Sequence, residues 1–153
     1  MSVEINQAVD NFTVQTTGGE ISLSQLRGKS VVLYFYPKDS TPGCTTEGEN
    51  FRDAHPQFQA SNAVVLGISR DSMKSHANFK AKLELPFELI SDPEEALCLQ
   101  FDVMKMKNMY GKQVRGVERS TFLIDPQGIL KHEWRGVKVP GHVEEVLSFL
   151  KTL

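Results

Sequence analysis

Three apolar runs constrain this chain more than any other feature. "SVVLYFY" (30–36), "AVVLGIS" (63–69) and "RSTFLID" (119–125) are continuous rather than alternating, and rich in β-branched and aromatic residues. They are too short for helices, and a strand covered on both faces reads this way. Helical patterns fill the intervals. "DSMKSHANFKAKLEL" offers Asp71 or Ser72 as N-cap and Met73, Ala77 and Phe79 as its apolar positions. "SDPEEALCLQFDV" opens with Asp92 as N-cap and Pro93 at the first helical position, with Leu97, Cys98 and Phe101 on one stripe. "PGHVEEVLSFLKTL" places Val143, Val146, Leu147 and Leu150 on one face. Strands alternating with helices around buried runs predict an α/β layered fold.

Two further strand pairs are expected. "NFTVQTTGGEISLSQLRGK" predicts an N-terminal β-hairpin around its glycines, and "ILKHEWRG" should pair antiparallel with the third run across the Pro-Gln-Gly turn. No repeat, low-complexity tract or Pro/Ser-rich linker divides the 153 residues, so a single domain over 1–153 is expected. The net charge of -2 gives no basic footprint for nucleic acid or an anionic membrane. The acidic N-terminus lacks the apolar stretch of a secretory signal, and no run is long enough to span a bilayer.

The chain holds only two cysteines, Cys44 and Cys98, which suits a reducing cytosol better than a disulfide framework. His55, His76, His132 and His142 show no ligand spacing among themselves or with the cysteines. They read as solvated surface residues, and no metal is expected.

Cys44 stands out by its company. It follows the first apolar run through the turn-rich "PKDSTPG" and precedes "TTEGENFRDA", which can form a helix with Phe51 and Ala54 inward and Pro56 as its kink or end. That puts the thiol in the first turn of a helix, beyond the carboxyl end of a central strand, where ligands bind in open α/β sheets. Unpaired backbone N–H groups and the helix dipole favour an anion there, and the thiolate is the nucleophile.

The string "PKDSTPGC", with Pro37, Thr41 and Cys44, is the P-x-x-x-T-x-x-C signature of the peroxiredoxins, and "YPKDSTPGCT" resembles the bacterioferritin-comigratory (PrxQ-type) branch. "VVLGIS" followed by Arg70-Asp71, "LISDPE" and "RSTFLIDPQGIL" extend the resemblance over nearly the whole chain. It implies a thioredoxin-like fold, with a central mixed sheet flanked by helices, and thiol peroxidase activity with no cofactor on hydrogen peroxide and organic hydroperoxides. It further implies a monomer, and the cysteine usage a cytoplasmic enzyme. Thioredoxins place C-x-x-C at this turn. Here Thr41 stands in the first position, so no local disulfide can form.

The chemistry fits. Peroxide reduction needs an ionised nucleophile and donors aimed at oxygens that gain charge. Cys44 is the nucleophile, Thr41 places a hydroxyl beside it, and Pro37 restricts the loop. The resemblance supplies the cation as Arg119, which residue type alone ranks no higher than Arg115, and Glu47 as the carboxylate orienting it. Attack leaves a sulfenic acid that must meet a thiol. Many members of the branch carry the resolving cysteine five residues after the first, where this chain has Glu49. Others carry it in the helix after "GISRD", which here has none. Cys98 reads as a core residue, so a one-cysteine cycle closed by thioredoxin, glutaredoxin or glutathione is favoured. A two-cysteine cycle through Cys98, and a sensor relaying oxidation to a partner protein, remain the alternatives.

Overall fold

In the computed structural model, residues 3–153 are described. The first two strands, β1 (Thr13–Thr16) and β2 (Gly19–Ser22), form the expected N-terminal hairpin. The three apolar runs become β3 (Ser30–Phe35), β4 (Ala63–Ser69) and β8 (Ser120–Ile124). With β5 (Glu88–Ser91) and β9 (Leu130–Arg135) they complete a seven-stranded sheet of order β2-β1-β5-β4-β3-β8-β9. Strands β3, β4 and β5 run parallel, while β8 lies antiparallel to β3 and β9 antiparallel to β8. This is the mixed sheet of a thioredoxin-like fold. The β8–β9 turn closes as expected, with Asp125 Oδ1 accepting from the Gln127 and Ile129 N–H groups at 2.9 Å and Gly128 at a φ of 84°.

Alternation along the strands makes two apolar layers. Val32, Tyr34, Tyr36, Val65 and Leu123 face helices α1 (Pro42–Ala60), α2 (Met73–Leu83) and α4 (His142–Leu150). Val31, Leu33, Phe35, Leu66 and Phe122 face the opposite side, against the short helix α3 (Ala96–Gln100) and the N-terminal residues Val9 and Phe12. Strands buried on both faces need continuous apolar sequence, which is what the three runs supply.

Several expectations require correction. Pro56 does not end α1; the helix runs on to Ala60. Pro56 is exposed, so the carbonyl deprived of a partner by its ring lies on the solvent side. Helix α2 is capped by Ser72, whose side chain accepts from the Ser75 N–H, but Ala77 is exposed and His76 takes the buried position. Residues 92–95 form a turn rather than the start of α3. Asp92 nevertheless works as a cap from outside, its carboxylate accepting from the Leu97 and Cys98 N–H groups at 3.2 and 2.8 Å. Leu97, Cys98, Phe101 and the four apolar positions of α4 are buried as read.

The histidines are the largest departure. His55, His76 and His142 are buried, and His132 is half-buried with its ring stacked on Phe149. Apolar-periodicity reasoning counts histidine as polar, and so misses rings that find hydrogen-bond or aromatic partners inside. Residues 104–117 form a separate hairpin, β6 (Met104–Met109) and β7 (Lys112–Val117), for which the sequence reading assigned no element.

Candidate active site

The site is built where β3 ends. The chain leaves Phe35, turns through Pro37 to Thr41 and enters α1, with Pro42 at its first position. Proline is pre-shaped for that position and gives up no hydrogen bond there. Cys44 falls in the first turn as expected, and it is buried. Thr41 is the N-cap residue, but its side chain does not cap the helix. Its hydroxyl donates to the Lys38 carbonyl at 2.8 Å, leaving the oxygen lone pairs free to accept.

Strand β8 lies antiparallel beside β3, pairing Phe35 with Ser120. Arg119 therefore enters next to the carboxyl end of β3. Its Nη2 lies 3.4 Å from Cys44 Sγ, and its Nη1 donates to Glu47 Oε1 at 2.6 Å. Gly43 makes room for this approach: a Cβ there would sit 3.2 Å from Arg119 Nη2. Arg115 is placed elsewhere, with its Nη2 2.6 Å from Glu95 Oε1. Of the two arginines, only Arg119 reaches the sulfur.

Glu47 sits one turn into α1 and is fully buried, not solvated. Burial pushes its carboxyl up to about 7, against the opposing pull of Arg119. Its Oε2 has no hydrogen-bond partner among the described residues. Arg119 is subject to burial, which disfavours its charge, but Glu47 and then Cys44 outweigh this and hold the guanidinium charged.

Cys98 lies in the other apolar layer, across the sheet from Cys44. Burial, with a contribution from Asp92, pushes its thiol well up. Such a thiol is a poor nucleophile.

Further polar groups approach the site that the sequence did not single out. His142 Nε2 meets Thr121 Oγ1 at 2.8 Å, and burial aided by the Arg119 charge pushes the His142 ring down to about 4. Lys107 of β6 donates to the Val117 carbonyl, and burial followed by the Arg119 charge lowers its ammonium. Tyr34 stacks on Phe51 of α1 at 4.4 Å, beneath the cysteine helix. Two signals were available in the sequence: Thr121 of β8 lies two residues after Arg119, and Tyr34 lies three residues before Pro37, whereas His142 and Lys107 are distant from the motif.

The chain is similar to known proteins over nearly its whole length. The model of the AhpC/TSA family matches residues 5–133. Peroxiredoxin Bcp of Xanthomonas campestris pv. campestris is 53% identical over 150 residues, covering 97% of this chain and 94% of that protein. A crystal structure of a PrxQ mutant from Xylella fastidiosa superposes with a TM-score of 0.94 at 48% identity, covering 99% of this chain and 98% of that one. The Xanthomonas campestris bacterioferritin comigratory protein, described for its alkyl peroxide reduction activity in trapped intermediate/ligand complexes, superposes with a TM-score of 0.88 at 54% identity, covering 92% and 90%. No described helix is long and apolar enough to cross a membrane. With a thiol at a helix start and an arginine on its sulfur, this chain belongs to the AhpC/TSA family, as a peroxiredoxin of the Bcp/PrxQ type and hence a thiol peroxidase.

Proposed function

We propose that this chain reduces organic hydroperoxides and hydrogen peroxide at Cys44, in a one-cysteine cycle closed by an external thiol. The observation that carries the reading is the Arg119 guanidinium, 3.4 Å from Cys44 Sγ and tied to Glu47 on its other side. A fixed cation at that distance can donate to peroxide oxygens approaching the sulfur and offset the charge they gain as the O–O bond breaks.

The Cys44 thiolate attacks the nearer peroxide oxygen, forming an S–O bond as the O–O bond breaks. Sulfur is oxidised by two electrons, and the outer oxygen leaves as alkoxide or hydroxide and takes a proton. Arg119 offsets the charge that develops on that oxygen. The Thr41 oxygen, its own hydrogen committed to Lys38, accepts from the peroxide hydroxyl and orients it. Pro37 fixes the backbone φ where the loop begins. The product is a sulfenic acid on Cys44 and an alcohol or water. A first external thiol condenses with the sulfenic acid, releasing water and leaving a mixed disulfide. A second thiol then frees Cys44.

The burial of Cys98 across the sheet supports an external resolver over an internal one. Thioredoxin, glutaredoxin and glutathione each carry the required thiol, and a monomer acting alone suffices for the chemistry. The alkyl peroxide activity described for the Xanthomonas campestris relative supports organic hydroperoxides as a substrate class. The test is peroxide consumption with each thiol in turn, for wild type and Cys98→Ser. Sustained turnover by both supports the enzyme reading. A single stoichiometric oxidation with every small thiol, relieved only by one partner protein, would favour a sensor instead.

A further inference from the structure

The loop from Pro37 to Thr41 contributes two residues to the proposed site, and Asp39 at its middle is tied down on every side. Its backbone N–H donates to Asp71 Oδ2 at 2.9 Å. Its carboxylate accepts from Tyr36 Oη at 2.6 Å, Ser75 Oγ at 2.8 Å and His76 Nδ1 at 2.7 Å. Asp71 is itself engaged by Ser69 Oγ at 2.5 Å. Tyr36, His76 and Asp39 are all buried.

The hydrogens of the pair are constrained by its partners. His76 Nε2 lies 2.9 Å from the Ile90 carbonyl, which can only accept, so that nitrogen carries a hydrogen. Between Nδ1 and Asp39 one more proton is shared. Burial works to raise the Asp39 carboxyl, but the hydrogen bonds from His76 and Tyr36 outweigh it and hold Asp39 below its ordinary range. The two side chains close as a buried pair inside the protein.

A buried pair is weak evidence for stability, because desolvating the two groups offsets most of their attraction. What it does supply is position. His76 is on α2, Ile90 on β5 and Asp39 in the loop, so one ring fastens three separate pieces of chain. Ser40, next to Asp39, has a φ of 64°, a conformation a serine holds only when its surroundings impose it.

We propose that Asp39 and His76 are positioning residues for the peroxide reaction, holding the Pro37–Thr41 loop against α2 so that the Thr41 hydroxyl is presented beside Cys44. The pair touches neither sulfur nor substrate and acts through the loop. This rests on Cys44 being the peroxide nucleophile.

The test compares two rates at Cys44 in the reduced full-length protein: single-turnover oxidation by a hydroperoxide, and alkylation by iodoacetamide. Alkylation needs only an accessible thiolate, whereas oxidation also needs Thr41 in place. In Asp39→Ala and His76→Phe the oxidation rate should fall by about 10²-fold, as expected for a misplacement near 1 Å, with alkylation little changed. Asp39→Asn should recover most of the oxidation rate. Its amide can donate to a neutral His76 Nδ1 while still accepting from Tyr36, keeping the geometry without the carboxylate charge. If His76→Phe does not fold, the Ala and Asn pair at position 39 decides. Folded Asp39→Ala oxidising at the wild-type rate would overturn the proposal, as would equal slowing of both reactions or an Asn variant as slow as Ala. Wild type failing to oxidise at Cys44 would overturn the proposed function and this inference together; the other three results leave the proposed function standing.

Discussion

Arg119 bridges Cys44 and Glu47, its two terminal nitrogens lying 3.4 Å from the sulfur and 2.6 Å from the carboxylate. The two contacts divide the work. Glu47 fixes the direction of the guanidinium, and the remaining face is turned to the sulfur. Removing the cation in Arg119→Ala should slow peroxide attack by about 10²–10³-fold, the loss typical of one preorganised electrostatic contact. Arg115→Ala, which removes only an ion pair to Glu95, should leave the rate of attack unchanged. Equal rates for the two variants would place the working cation elsewhere.

Glu47 and His142 give stability opposing responses to pH. The folded Glu47 holds its proton more tightly than the unfolded chain, from 4.5 up to about 7, so its contribution is full below 4.5 and is lost as pH rises through about 7. His142 holds its proton less tightly, from 6.5 down to about 4, so its contribution is full above 6.5 and is lost as pH falls through about 4. Between these limits the two offset. Urea midpoints across that window should therefore fall more steeply on acidification in Glu47→Gln than in wild type. In His142→Asn they should rise. Parallel curves for all three proteins would remove both assignments.

Cys98→Ser buries a hydroxyl beside the Asp92 carboxylate, which can accept from it. Stability, measured by denaturant unfolding, should fall by at most about 1–3 kcal/mol, the full loss applying where that bond is not made. Peroxidase turnover with an external thiol should persist. Loss of turnover in a folded Cys98→Ser protein would reinstate Cys98 as the resolver.

Gly67 of β4 lies under the ring that supports the cysteine helix. A Cβ there would come within 2.8 Å of Tyr34 Cζ and 2.8 Å of Leu89 Cδ2. Tyr34 is already pressed against Phe51, so it cannot yield freely. Gly67→Ala should cost about 1–3 kcal/mol, as overpacking of a core does, and thermal unfolding measures it. An unchanged midpoint would mean that the Tyr34–Phe51 stack is loose.

What the sequence revealed followed the reach of each physical signal. The buried strands were legible because both of their faces are covered, and α4 because its apolar stripe is unbroken. Cys44 was legible because its position at a helix start follows from local turn chemistry. Arg119 was not, since nothing local separates it from Arg115; it came by resemblance, and the geometry then separates the two. The burial of Glu47 could not be read from a charged residue on a helix. The Asp39–His76 pair joins residues far apart in the chain, and its logic exists only once the loop and α2 are packed. The β6–β7 hairpin has mostly exposed faces and so lacks a continuous apolar run, although the alternation Met104-Lys105-Met106-Lys107 and the turn at Tyr110 and Gly111, with φ values of 53° and 79°, could have marked it.

The central claim is that Cys44 is the residue oxidised by peroxide. It is tested most directly by mass spectrometry of the wild-type protein after one equivalent of hydroperoxide, with a sulfenic-acid trap present and no reductant. A trapped adduct mapped to Cys44 is expected, with no adduct and no peroxide consumption in a folded Cys44→Ser variant. An adduct on Cys98, or appreciable consumption by the folded Cys44→Ser variant, would contradict that claim.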